Sequence, residues 1–393
     1  MQICRKQAKM IEVAKEMAPV LLGRARNADK DRAVTQQTID ELTDQGFFRI
    51  HQPERYGGMA WDISMMVRIS AELGQGCGLS CQIFSDLTVQ NWILGMNNPA
   101  AQDDVWGDNP MALIASSAPV KDGYVKRTDG GLIMDGQWSS ASGIDFADWN
   151  NMQVFVPPED GEGLPEHRFA LVPKSDYDIE DDSYSLGLAG TGSRTIQLNN
   201  VFIPEHRTIS STKLMGGTSP GSEINPGALY RVPSPTLETK VFSAPALGIA
   251  KGGLAMIEND ISGRKTVGNA AMAELSTAQT RVSEAGAEID AAEALLLKDC
   301  DDAMSIAKAG DIPGIDDRAR WSRNNAFAVQ LCVRALERLN PLVGARGLTP
   351  ENDFLRMLRD VHTASLQIMV DWDTQAENSG RIRFGLMPLY PRV

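Results

Sequence analysis

Two switches in hydrophobic period, near Met111 and near Pro235, constrain this chain more than any other feature. Before the first switch, apolar residues recur every three or four positions in KQAKMIEVAKEMAPVLLGRARNADKDR, TQQTIDELTDQGFF, SMMVRISAELGQG and GLSCQIFSDLTVQNWILGM. That spacing lines one face of a helix, and Thr38 or a neighbour offers an amino-terminal cap for the second segment. From Met111 the runs shorten to MALIASSAP, GLIMDGQW, NMQVFVP, RFALVP and TIQLNNVFIP, separated by Gly, Pro, Asp and Asn. Such texture predicts an antiparallel β domain. After Pro235 long helical periods resume and run almost to the end, as antiparallel bundles require. The chain therefore reads as α+β: a helical domain over residues 1–106, a central antiparallel β domain over 107–234, and a C-terminal four-helix bundle over 235–393. The stretch GGTSPGSEINPGALYRVPSP before the second switch reads as a linker or lid.

Charge and cysteine content narrow the function classes. A formal net charge of −13 over 393 residues argues against nucleic acid, whose binders gather Lys and Arg on one face. No uninterrupted run of about 18 apolar residues is present, so the expectation is a cytoplasmic protein with no membrane span. The cysteines at 4, 77, 81, 300 and 332 are too few and too scattered for a disulfide framework and are read as free thiols. No His or Cys spacing suits a metal, so none is expected.

Among the motifs, GQWSSASGIDFADW (136–149) holds two tryptophans, three serines and no strong nucleophile. Taken alone it is a β turn whose Ser139, Ser140 and Ser142 satisfy local backbone groups. It also suits a flat heteroaromatic ring: the Trp138 indole supplies a face and a hydroxyl can bond a ring nitrogen. GTGSRTIQLNNVFIP (190–204) lacks the Gly-Lys-Ser/Thr ending of a phosphate loop and reads as a tight turn into a strand. Of the four histidines, His167 and His206 read as solvated loop residues and His51 as the end of a short run. His362 shares a helix face with Arg359, with Gln367 further on, and serves either as an interhelical contact or in chemistry.

The order of these pieces, from GFFRIHQPERYGG through QDDVW, the tryptophan-led loop and G-x-G-S-x-T before NNVFIPEHR, to R-D in the last helices, resembles the acyl-CoA dehydrogenase superfamily over residues 10–385. WSSASG with ADW, and RDVHTAS with DWDTQA, look more like its flavin-dependent monooxygenases, the oxygenase components of two-component systems such as p-hydroxyphenylacetate, secosteroid and dibenzothiophene oxygenases. That resemblance implies a chain that takes reduced FMN or FAD from a separate flavin reductase. It then uses O2, through a C4a-hydroperoxide in a dry site, to oxygenate a small aromatic or heteroaromatic substrate of phenol or indole type. It further implies Trp138 near the ring, Ser140 or Ser142 at the flavin N5 region, Ser116 and Ser117 on the second approaching segment, and Arg264 or Lys251 toward the phosphate or ring. His362 and Gln367 are the candidates for chemistry near the RD pair, and a homotetramer built on the alanine-rich stretch 269–310 is implied.

Some positions depart from that pattern. Ser116, Ser117, Phe146 and Gln367 stand where relatives that hydroxylate phenols often carry His or Tyr, so the usual base for a phenol is missing. An acyl-CoA dehydrogenase or nitroalkane-oxidase-like enzyme is the alternative. It needs a carboxylate base, yet no glutamate occurs between Glu351 and Glu377, leaving Asp371 or Asp373.

Overall fold

The structure, a computed structural model, describes residues 3–117, 120–159 and 161–390. Five helices open it: α1 (Arg5–Asp31), α2 (Gln36–Asp44), α3 (Ser64–Gly76), α4 (Gly78–Gly95) and α5 (Pro99–Trp106). The α2 cap is Thr35, whose hydroxyl accepts from the Thr38 amide. Helix α4 is the centre of the molecule: nearly every residue along it is buried, so apolar side chains face all directions and no amphipathic stripe is legible.

Among the described residues eight strands follow: β1 (Ile114–Ser117), β2 (Val120–Thr128), β3 (Gly131–Ala141), β4 (Trp149–Val156), β5 (Glu166–Pro173), β6 (Asp178–Glu180), β7 (Arg194–Pro204) and β8 (Thr208–Ser210). They form two four-stranded sheets, ordered β1-β4-β5-β8 and β2-β3-β7-β6. The pairing is antiparallel as the sequence suggests, except that β1 lies parallel to β4. The β2–β3 hairpin between β1 and β4 crosses to the other sheet, and such a crossover lets the chain return in the same direction.

Residues 216–235 do not form a lid. Their backbone and side chains are tied to α4 and its neighbours: the Trp92 indole donates to the Leu229 carbonyl (2.9 Å), the Asn225 amide donates to the Gly95 carbonyl (2.7 Å), and the Tyr230 hydroxyl donates to the His51 carbonyl (3.1 Å). Proline and glycine set the path, and buried hydrogen bonds fix it.

The C-terminal part comprises α6 (Ser234–Glu238), α7 (Lys240–Gly263), α8 (Ser276–Ala309), α9 (Ile315–Val343), α10 (Asp353–Ser365) and α11 (Trp372–Arg383). Helices α7 to α10 pack as a bundle, with α11 against α9. The segment Ser234–Gly263 is long and apolar enough to cross a membrane, but 67% of its most apolar window is buried inside the protein, where it packs on α3, α4 and α9. Small residues allow that approach: Gly248 of α7 lies against Gly74 and the Ser70 carbonyl of α3. One continuous apolar core joins the helical layers to the inner faces of both sheets.

Candidate active site

A cavity of 610 Å³ opens where α4, the two sheets, α7 and the end of α10 meet. Helix α4 supplies one wall through Gln82, Asp86, Val89, Gln90 and Ile93, a set spaced by three and four that forms a single helical face. Gln82 donates both to the Val241 carbonyl (3.1 Å) and to Asp86 (3.2 Å), while Gln90 accepts from the Asn151 amide (2.9 Å). Burial pushes the Asp86 carboxyl up to about 7, opposed by hydrogen bonds from Gln82 and Ser142. This wall is hard to see in the sequence because the rest of α4 is so apolar. The four-residue repeat of Gln82, Asp86 and Gln90 was the available signal.

The β domain supplies the facing wall. Ser116 donates to the Asn151 carbonyl (3.0 Å) and Ser117 accepts from the Asn150 amide (2.7 Å), so both β1 serines line the cavity in fixed orientations. On β3 the register with β7 shifts between Trp138 and Ala141, and Ser140 adopts a left-handed backbone (φ 61°). This bulge redirects the chain. Ser140 and Ser142 line the cavity, whereas Trp138, expected beside a ring, is fully buried and donates its indole N–H to the Gln153 carbonyl (3.1 Å). Trp138 thus braces β4 from behind the wall and does not line the cavity.

Ser142 and Ser193 hydroxyls lie 2.9 Å apart, Ser193 and Thr191 hydroxyls 2.9 Å apart, and the Thr191 hydroxyl lies 2.8 Å from the Leu188 carbonyl. This hydroxyl row belongs to a loop that the arginine-aspartate pair of α10 clamps. The Asp360 carboxylate accepts from the Leu188 amide (2.7 Å), and Arg359 donates to the Leu186 carbonyl (2.6 Å) and pairs with Asp29 (2.8 Å). Gly187 is required there, since a Cβ would lie 2.3 Å from the Arg359 carbonyl.

Other predicted site residues are placed apart. Gln367 lines the cavity with Ile368 and Met369, but His362 points elsewhere, half-exposed and 3.3 Å from Glu337. Arg264 binds the Leu342 and Val343 carbonyls at the end of α9 and pairs with Asp260 (2.6 Å), while Lys251 pairs with Glu293 (2.7 Å). Both cations serve the bundle, as basic groups at helix C-termini and interhelical pairs do. His167 is not solvated: it lies in β5 between Phe155 and Phe169. His51 is buried, its Nδ1 3.0 Å from the Trp61 carbonyl, and burial lowers it to about 4. His206 is partly exposed, 2.8 Å from Asp104. Asp371 caps α11 and Asp373 is exposed, so neither is a base for the cavity.

The cavity is neutral or acidic. None of its described lining residues is Lys, Arg or His; its ionisable groups are Asp86, Glu238 and the phenols of Tyr184 and Tyr390. Its size is that of a small-molecule or cofactor site. The fit to a flavin ring is good on one count that composition alone does not give: Gln82 Oε1 is buried with no partner among the described residues, an acceptor awaiting an N–H donor.

A helical domain, a β layer and a bundle around a hydroxyl-lined cavity define the acyl-CoA dehydrogenase class. Family models agree: the acyl-CoA dehydrogenase N-terminal domain matches residues 6–103 and the C-terminal domain matches 240–372. The chain is 34% identical to the FADH(2)-dependent resorcinol hydroxylase oxygenase component of Rhizobium sp. (strain MTP-10005), covering 95% of this chain and 93% of that protein. It is 30% identical to the p-hydroxyphenylacetate 3-hydroxylase oxygenase component of Acinetobacter baumannii, covering 96% and 90%. The crystal structure of the HsaA monooxygenase from M. tuberculosis superposes with a TM-score of 0.92 at 29% identity, covering 99% of this chain and all of that one. The protein belongs to the oxygenase components of the flavin-dependent monooxygenases. It is an enzyme of reduced flavin, and the dehydrogenase alternative is not favoured, in keeping with the lack of a glutamate between Glu351 and Glu377.

Proposed function

We propose that this chain accepts reduced FMN or FAD from a separate flavin reductase and inserts one atom of O2 into a small aromatic or heteroaromatic substrate, of phenol or indole type, held in the 610 Å³ cavity. It works in the cytoplasm as a homotetramer. The carrying observation is the cavity wall itself: many hydroxyls and amides, several of them oriented by hydrogen bonds, with no strong nucleophile among them. Such a wall can bind and orient a reactive cofactor without reacting with it. The flavin, when bound, supplies the activation of oxygen.

This chain's residues supply position and dryness. Ser140 on the β3 bulge and Ser142 just after β3 would hydrogen-bond the flavin ring, with Ser116 and Ser117 on the facing β1 segment. Gln367 and the loop clamped by Asp360 exclude water from the side of the bundle. Trp138 stiffens the wall from behind, and His362 and Arg264 support the helices. No G-x-G-x-x-G follows a strand, so a reductase, and not this chain, handles the nicotinamide.

The test is an oxygen balance. Apoprotein is loaded with anaerobically reduced FMN or FAD and mixed with oxygenated buffer and a panel of phenols and indoles. Oxygenated product and hydrogen peroxide are then counted per flavin oxidised. Product forming at the expense of peroxide is expected for at least one substrate. If every electron pair leaves as peroxide, while acyl-CoAs or nitroalkanes bleach bound oxidised flavin, the proposal is wrong.

A further inference from the structure

We infer that Asp86 holds the substrate by its hydroxyl and takes up that hydroxyl's proton, and that the substrate served is an uncharged hydroxyaromatic, not an aromatic carboxylate. The inference rests on the oxygenase reading above and names the substrate class of the same cavity.

Three observations converge on α4. First, of the three polar residues that α4 turns to the cavity, Gln90 already accepts from Asn151 and the unpartnered Gln82 Oε1 is the acceptor suited to the flavin, which leaves the Asp86 carboxylate, whose two oxygens accept from Gln82 and Ser142 and have room for a further donor, to receive the substrate. Second, the cavity has no cation among its described lining residues. The groups that act on the Asp86 carboxyl are Gln82 on its own helix and Ser142 from the turn after β3, while Glu238 of α6 and the phenols of Tyr184 and Tyr390 complete the ionisable set of the described cavity lining. A substrate carboxylate would enter beside two acids with nothing to offset its charge. A phenol brings a donor to an acceptor. Third, Asp86 stands at the head of the hydroxyl row Ser142, Ser193, Thr191 and the Leu188 carbonyl.

That row has two directions, because each hydroxyl has one hydrogen to give. With Asp86 ionised, Thr191 donates to Ser193, Ser193 to Ser142 and Ser142 to the carboxylate, and the Leu188 carbonyl is left without the Thr191 hydrogen. With Asp86 protonated, its O–H donates to Ser142, Ser142 to Ser193, Ser193 to Thr191, and Thr191 to Leu188. All four donors then have acceptors. The proposed step is a proton transfer: the substrate O–H bond breaks, the proton forms an O–H bond on Asp86, and the electron pair stays on the substrate oxygen. That pair raises the electron density of the ring where oxygen is to be inserted. The row reverses as the proton arrives, no proton leaves the cavity, and the same proton is available to the product oxygen. A carboxyl pushed up to about 7 suits the task, since the gap to a phenol near 10 narrows from about six powers of ten to about three.

The experiment is equilibrium binding under anaerobic conditions to protein loaded with reduced FMN or FAD, so that the readout is affinity and not turnover. Phenol and resorcinol are titrated at pH 6 and 8, each against its carboxylate-bearing analogue, with wild type, Asp86→Asn and Ser193→Ala. Neutral ligands should bind wild type about tenfold more weakly at pH 6, where about a tenth of the carboxylates are ionised. The carboxylate analogues should bind at least about tenfold more weakly than their neutral partners at pH 8. Asp86→Asn should abolish the pH dependence and narrow the discrimination, and Ser193→Ala should move the midpoint of the pH dependence while keeping the discrimination. The inference is overturned if no neutral ligand binds, if the carboxylates bind as well, or if Asp86→Asn keeps the wild-type pH profile. The oxygen balance with the wild type is independent of all three, so a failure there is a failure of the oxygenase reading alone.

Discussion

Asp86 is expected to weaken the fold it serves. Its folded carboxyl titrates near 7 against 3.8 for an unperturbed aspartate, so the folded state keeps the proton that the unfolded chain gives up. Ionisation therefore costs stability above about pH 7, in full, by about 4 kcal/mol at most, and the cost vanishes as pH falls toward 4. Asp86→Asn removes the charge while keeping the shape. Chemical denaturation should find the variant more stable than wild type by a few kcal/mol at pH 8, with the gap closing as pH is lowered to 5. A variant less stable at both values would mean that the carboxylate is held charged by its hydrogen bonds, contrary to the raised value. His51, lowered to about 4, works in the opposite sense: it is protonated first in the unfolded chain and destabilises the fold below about pH 6.5. It is present in both proteins and cancels in the comparison.

Helices and strands follow the periods written in the sequence, but the devices that shape the site do not. Gly248 of α7 illustrates an element-scale constraint: a Cβ there would stand 2.2 Å from the Ser70 carbonyl and 2.8 Å from the Gly74 Cα, both backbone atoms of α3. Gly248→Ala must separate two buried helices, and a loss of about 1–3 kcal/mol is expected in a denaturant titration. An unchanged midpoint would show that α7 can shift without cost. The small-residue pattern that permits this contact was visible as GIAKGG, though not its partner. Trp138 and Ser140 were both legible as site candidates, yet the bulge that sends one behind the wall and the other into the cavity depends on the β3–β7 register, which one strand's sequence does not contain. The arginine-aspartate pair was legible as a motif, but its task of clamping the loop at Leu188 is a contact across 172 positions. The stretch 216–235 looked open because glycine and proline dominate it. Its order comes from hydrogen bonds to helices far away in sequence.

The whole molecule leaves an apolar surface beside its cavity. Leu366 and Ile368, just after α10, and Phe384, Leu386, Met387 and Leu389, after α11, are exposed, with Phe384 at 84% and Met387 at 79%. Ile368 itself lines the cavity with their neighbours Gln367 and Tyr390, so the segments that bound its open side carry solvent-exposed apolar side chains. Scattered exposed apolar residues need no explanation, but six of them on two segments that border a site requiring dryness call for cover. The proposed homotetramer would provide it through further copies of this chain. Light scattering should give a mass about four times 42.7 kDa for the wild type. Phe384→Glu with Met387→Glu places charge on that surface and should give smaller species, and these should release more hydrogen peroxide per flavin oxidised because water reaches the cavity. A wild type of 42.7 kDa that still couples oxygen to product would show that the site is dry within one chain, and that the outward face of the C-terminal segments has no part in it.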